Sequence, residues 1–227
     1  MGLHNMANTT EYSTAAERAY RIICDAILSG VLPQGQKLSR RNMAKLTGVS
    51  IIPVIEALHR LENEGLVESR PHWGSRVVQP THEFIRDKYA LREAVECQVV
   101  RMLCATVREA QIDELLSLAR EIDAMQQTGD MDTFWDKHYF FHLRMAQFTN
   151  CPSLVGSLHR INLFYLLQRA ELEAQQILNT IPHDNHERVV RAIAEGDPIT
   201  AEEEMRIHVY RSGLISREEV HGSDGQG

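Results

Sequence analysis

The stretch that decides the fold is Gly48-Val49-Ser50-Ile51-Ile52-Pro53-Val54-Ile55-Glu56-Ala57-Leu58, followed by Arg60-Leu61-Glu62 and then Glu64-Gly65-Leu66-Val67. Ser50 is placed to cap a new helix, and Pro53 falls in its first turn, where a missing N–H costs nothing. Val54, Ala57, Leu58 and Leu61 recur at three and four, the inner stripe of a helix that Gly65 stops. Upstream, a short helix over 40–47 ends at Gly48. Before it, 14–29 carries Ala19, Ile22, Ile23, Ala26 and Ile27 at helical spacing, closed by Gly30 and the turn Val31-Leu32-Pro33-Gln34-Gly35. Downstream, two extended stretches, 66–69 and 76–79, flank Pro71-His72-Trp73-Gly74, which reads as a hairpin tip. Helix, helix, turn, helix and hairpin is the layout of a winged helix-turn-helix.

Beyond Pro80 the pattern is helical throughout, with candidate helices over 83–105, 111–127, 132–148, 153–178, 184–195 and 198–215. The fold class is therefore mainly α: an N-terminal winged helix-turn-helix over 14–80, then an all-helical bundle of about six helices over 81–216. A polar, glycine-rich tail over 217–227 is expected to be flexible. The chain is 227 residues long, 43% hydrophobic and 24% charged, which suits a folded core and excludes wholesale disorder. Residues 1–80 hold nine Lys/Arg against seven Asp/Glu, whereas 81–227 hold fifteen against twenty-four. A mildly basic module joined to an acidic one points to nucleic acid at one end and a different partner at the other. No apolar run reaches the ~18 residues of a membrane span, and the first fifteen residues do not read as a signal peptide. Cys24, Cys97, Cys104 and Cys151 are scattered without a C-x-x-C pair, the usage of a reducing cytosol, and a cytoplasmic location is expected.

Ala26-Ile27-Leu28-Ser29-Gly30, Leu32-Pro33, Gly35, Leu38-Ser39 and the deciding stretch from Gly48 to Val67 resemble the GntR family of bacterial transcriptional regulators. The second part resembles that family's FCD effector domain. Tyr89, Leu91-Arg92, Glu96, Phe141-His142, Asn150, His186, Ala192-Ile193, Gly196-Asp197, Ala201 and His208 carry this likeness, closest to the six-helix VanR-like group. The resemblance implies a ligand-responsive regulator and no enzyme: a homodimer on a palindromic double-stranded operator, answering to a small carboxylate.

The resemblance also assigns roles. His142, His186 and His208 match the positions where FCD domains place three metal-binding histidines. The usual aspartate four residues before the first is replaced by His138, which shares a helix face with His142. If His138 ligates, the all-nitrogen set favours zinc or nickel over magnesium or calcium; if it points elsewhere, three imidazoles still make a site with open positions. Arg92 matches an arginine that often faces the effector, and its fork suits a carboxylate; a surface salt bridge to Glu96 at i,i+4 is the other reading. In the winged module, Arg41, Ser50, Ile51, Ile52, Ile55, Trp73 and Gly74 are the expected DNA contacts. Two depart from the pattern: Ile51 and Ile55 stand where the family usually carries arginine. Metal catalysis is opposed by the absence of Glu-x-x-His motifs within 81–216 and of H-E-x-x-H anywhere in the chain. Cys97, Cys104, Met102, Met125, Met145 and Tyr139-Phe140-Phe141 read as core.

Overall fold

The computed structural model describes residues 14–128, 131–161 and 185–218. They fall into two compact units, with the chain passing from one to the other between Pro80 and Thr81.

In the first unit α1 spans Ala15–Leu28, α2 Arg40–Thr47 and α3 Ile51–Asn63. The apolar face of α1 (Ala19, Tyr20, Ile23, Cys24, Ile27) closes against Val54, Ala57, Leu58 and Leu61 of α3. Of the stripe expected for α1, Ile22 is instead exposed and Ala26 half-buried, with Tyr20 and Cys24 turned inward in their place. Thr14 and Ser39 cap α1 and α2, accepting from Glu17 N and Asn42 N at 3.1 Å each. Gly48 ends α2 with φ 69°, a left-handed conformation that any Cβ would oppose. Ser50 does sit at the N-cap of α3 with extended backbone, yet it makes no capping bond. Pro53 explains this, because it occupies the N3 position and lacks the N–H that a capping hydroxyl would accept.

The wing is a three-stranded antiparallel sheet in the order β1-β3-β2, from Lys37–Leu38, Val67–Arg70 and Gly74–Val77. β2 and β3 pair Val67 with Val77 and Arg70 with Gly74, so the tip narrows to residues 71–73. The expected hairpin is present but shifted: Gly74 opens β3 instead of lying in the turn, and both His72 (φ 66°) and Gly74 (φ 74°) are left-handed. β1 has no counterpart in the sequence pattern, since two residues show no periodicity.

The second unit is helical: α4 His82–Thr106, α5 Glu109–Thr128, α6 Met131–Phe148, α7 over 152–161, α8 His186–Ala194 and α9 Pro198–Glu218. Its core is drawn from one stripe of each helix, including Val99, Val100 and Leu103 of α4, Leu115 and Ile122 of α5, and Phe141 and Met145 of α6. Val189, Val190 and Ile193 of α8 and Met205 of α9 complete it. The helix expected over 153–178 is described only to residue 161, and its remainder lies outside the described residues. α9 runs to Glu218, past the boundary expected at 216; the rest of the expected tail, 219–227, is outside them too. Cys97 is buried and Cys104 half-buried, and both are free thiols. Among the described residues no helix is long and apolar enough to cross a membrane.

Candidate metal centre and nucleic-acid interface

The inner stripes of the second unit should be apolar throughout, and at six positions they are not. Arg92 and Glu96 on α4, His138 and His142 on α6, His186 on α8 and His208 on α9 are all buried. Apart from Thr47 and Thr149, these are the buried polar residues among those described, and they meet in one place. The four histidines each offer a ligand atom within 4.8 Å of every other. His142 Nε2 lies 3.2 Å from His138 Nε2 and 3.0 Å from His208 Nε2. Nitrogens bound to one ion at roughly 2.0–2.1 Å sit about 3.0–3.4 Å apart, so these separations match a shared ligand shell.

Phe134, Trp135 and Phe141 wall the cluster: Phe134 stacks on His138 at 5.5 Å and Phe141 meets His186 edge-on at 5.4 Å. Burial pushes the His138 imidazolium well below its ordinary range, with the neighbouring His142 adding to the effect. Burial also lowers His142 to about 4, although Glu96 pulls the other way. Both rings are therefore neutral at pH 7, the state a metal ligand needs. Glu96 is 1% exposed, and burial alone would raise its carboxyl. Arg92 and His142 outweigh that and hold it down at about 2, so it is ionised.

Arg92 lies on the border of this cluster. Its Nε is 2.5 Å from Glu96 Oε1 and its Nη2 is 3.3 Å from His142 Nε2. Of the two sequence readings, the pair with Glu96 forms, but in the interior at 1% exposure and not on the surface. The reason is the stripe. Arg92 and Glu96 fall in register with Tyr89, Val95 and Val99, which face the core. Sequence reasoning missed Asp123 of α5. Its Oδ1 accepts from His186 Nδ1 at 2.6 Å and from His186 N at 3.2 Å, and its Oδ2 accepts from Glu187 N at 3.4 Å. Nothing in the chain marks a carboxylate that pairs sixty-three residues later. With Nδ1 so engaged, His186 Nε2 is buried, turned away from Asp123, and without a hydrogen-bond partner among the described residues. An orphaned buried acceptor beside three further imidazoles is what a metal ion would satisfy. The residues present fit the group.

In the first unit the predicted DNA contacts are solvent-facing. Arg41, Ser50, Ile51, Ile52, Trp73 and Gly74 are exposed, Ile52 by 70%, while Ile55 is half-buried. The Arg76 guanidinium lies 4.7 Å from the centre of the Trp73 ring, which steadies an aromatic side chain at the wing.

The chain matches the FCD domain over residues 87–211 and the bacterial regulatory proteins of the gntR family over 15–77. The HTH-type transcriptional repressor RspR of Escherichia coli is 27% identical over 60% of this chain, and the match spans 59% of the repressor's length. The Exu regulon transcriptional regulator of the same species is 25% identical over 84% of this chain and 80% of its own. The solved structure of E. coli McbR/YncC covers 92% of this chain and 100% of its own with a TM-score of 0.74. At 18% identity that likeness shows the fold alone.

Proposed function

We infer that this chain, which belongs to the bacterial gntR family of regulatory proteins and carries an FCD domain, is a transcriptional regulator controlled by a small organic acid through a bound metal. The unit over 14–80 reads DNA and the unit over 81–216 senses the effector. The observation that carries the reading is the buried four-histidine cluster with Arg92 at its border.

His138, His142, His186 and His208 would hold the metal, and their all-nitrogen set favours zinc or nickel over magnesium or calcium. When bound, the ion supplies a Lewis-acidic centre able to take a carboxylate oxygen. Arg92 supplies the complementary cation: its fork pairs with carboxylates and its burial sharpens the charge. Glu96 keeps that cation from standing uncompensated in the interior. In the winged unit, the N-terminal half of α3 (Ser50, Ile51, Ile52, Ile55) would enter the major groove, with Arg41 on the backbone and Trp73-Gly74 of the wing at the minor groove. Ser50 suits this role because its hydroxyl is not spent on capping. One recognition helix reads one half-site, so the active species is a homodimer on a palindromic operator.

Metal uptake by the full chain tests the reading. After incubation with zinc or nickel and desalting, elemental analysis should find close to one equivalent per chain, and His142→Ala should abolish it. A parent value below about a tenth of an equivalent overturns the metal assignment. Light scattering should find a dimer, and a stable monomer at micromolar concentration would overturn the half-site argument. A gel-shift against DNA upstream of the chain's own gene should show a retarded band whose intensity a matching carboxylate changes.

A further inference from the structure

We propose that Glu96 and Asp123 are positioning residues of the histidine centre: each carboxylate holds the Nδ1 proton of one imidazole and so presents that ring's Nε2 lone pair to the ion. The inference rests on the metal reading above and concerns residues outside the ligand set.

An ionised carboxylate has no hydrogen to give and only accepts. His186 Nδ1 lies 2.6 Å from Asp123 Oδ1, so the proton is on His186 Nδ1 and the lone pair on Nε2. Glu96 Oε2 lies 2.5 Å from His142 Nδ1. A nitrogen lone pair that close to a carboxylate oxygen would be repelled, which assigns the proton to Nδ1, although the contact is bent and neither atom completes a hydrogen bond. His142 Nε2 then carries the lone pair, which is the atom that approaches His138, His208 and Arg92. The opposite tautomer would put an N–H at the centre of the cluster and close both rings to a metal.

Each carboxylate is itself held in place. Arg92 Nε fixes Glu96 at 2.5 Å. Asp123 is fixed by the backbone N–H groups of His186 and Glu187, in the first turn of α8, where they have no partner within the helix. One aspartate thus sets both the start of α8 and the orientation of the first side chain on it. The two carboxylates also supply the negative charge that the ligands lack. Four neutral imidazoles offer a divalent cation none, and Arg92 adds a further positive charge. Such partners of ligating histidines, when lost, weaken metal affinity by about tenfold to a hundredfold.

Two measurements on the full chain test this. In the metal-free, 15N-labelled parent, two-bond proton–nitrogen correlations should place the proton of His142 and of His186 on Nδ1; an Nε2–H ring at either position overturns the proposal. In competition with a chromophoric chelator, Glu96→Gln and Asp123→Asn should each bind zinc about tenfold to a hundredfold more weakly than the parent. Glu93→Gln, which removes a partly exposed carboxylate from the same helix, should bind like the parent. Parent-like affinity in both Glu96→Gln and Asp123→Asn overturns the proposal, whatever their melting temperatures. If either variant fails to fold, the ring tautomers of the parent decide between the two arrangements by themselves. A parent that takes up no zinc or nickel is the separate failure of the metal reading, distinct from a parent that binds with variants that bind equally.

Discussion

Ile51 and Ile55 set the character of the proposed DNA surface through what an isoleucine cannot do. Ile51 is 49% exposed at the start of the recognition helix and Ile55 lies half-buried one turn on, beside the inner stripe of Val54, Ala57, Leu58 and Leu61. Each phosphate neutralised by Lys or Arg adds roughly 0.9 to the slope of log affinity against log salt. A dimer with isoleucine at both positions forgoes up to four such contacts, so its binding should depend weakly on salt and its affinity for unrelated DNA should be low. Apolar contact with thymine methyls would favour A·T-rich half-sites instead. The double variant Ile51→Arg/Ile55→Arg should bind unrelated DNA more tightly and show a steeper salt slope in fluorescence anisotropy. An unchanged slope would mean that neither position meets the phosphate backbone.

At the scale of elements, two serines in the same sequence role differ in the structure. Ser39 caps α2 through Asn42 N, whereas Ser50 heads α3 without a capping bond because Pro53 removes the N–H it would use. Ser39→Ala should therefore cost about 1 kcal/mol of stability. Ser50→Ala should cost far less in a denaturant melt yet weaken operator binding. Equal losses of stability would show that Ser50 caps after all. This contrast is only half legible in the sequence: the boundaries of α2 and α3 follow from Gly48, Pro53 and the apolar spacing, but the idle hydroxyl follows from counting which N–H groups exist. The histidine centre divides similarly. His142, His186 and His208 are visible through resemblance, and His138 through its i,i+4 spacing. Glu96 has the look of a surface partner of Arg92, although its register with Tyr89, Val95 and Val99 places it inside. Asp123 gives no signal, because a helical carboxylate next to Ile122 has the pattern of a solvent-facing residue and its partner comes from a distant helix.

For the whole molecule, the centre gathers side chains from α4, α5, α6, α8 and α9, so a metal there should stabilise the second unit as a body and leave the winged unit's own core untouched. At a hundredfold excess over Kd the gain is about 2.7 kcal/mol, which for a unit of this size raises its melting temperature by on the order of 10 °C. Calorimetry of the full chain should show this in one transition, with a chelator reversing it. The pH dependence has a fixed sign. His142 is neutral in the fold down to about pH 4 but titrates near 6.5 when unfolded, so its contribution is complete above pH 6.5 and drains away as the pH falls toward 4. Glu96, held at about 2 against an ordinary 4.5, extends the loss below pH 4.5. Protons also compete directly with the metal for the imidazole nitrogens. Lowering the pH from 7.5 to 5 should therefore depress the second unit's transition even in chelator, and depress it further with zinc present as the ion is released. If the zinc-loaded and chelated transitions stayed the same distance apart across that range, the ion would be held by groups other than these histidines.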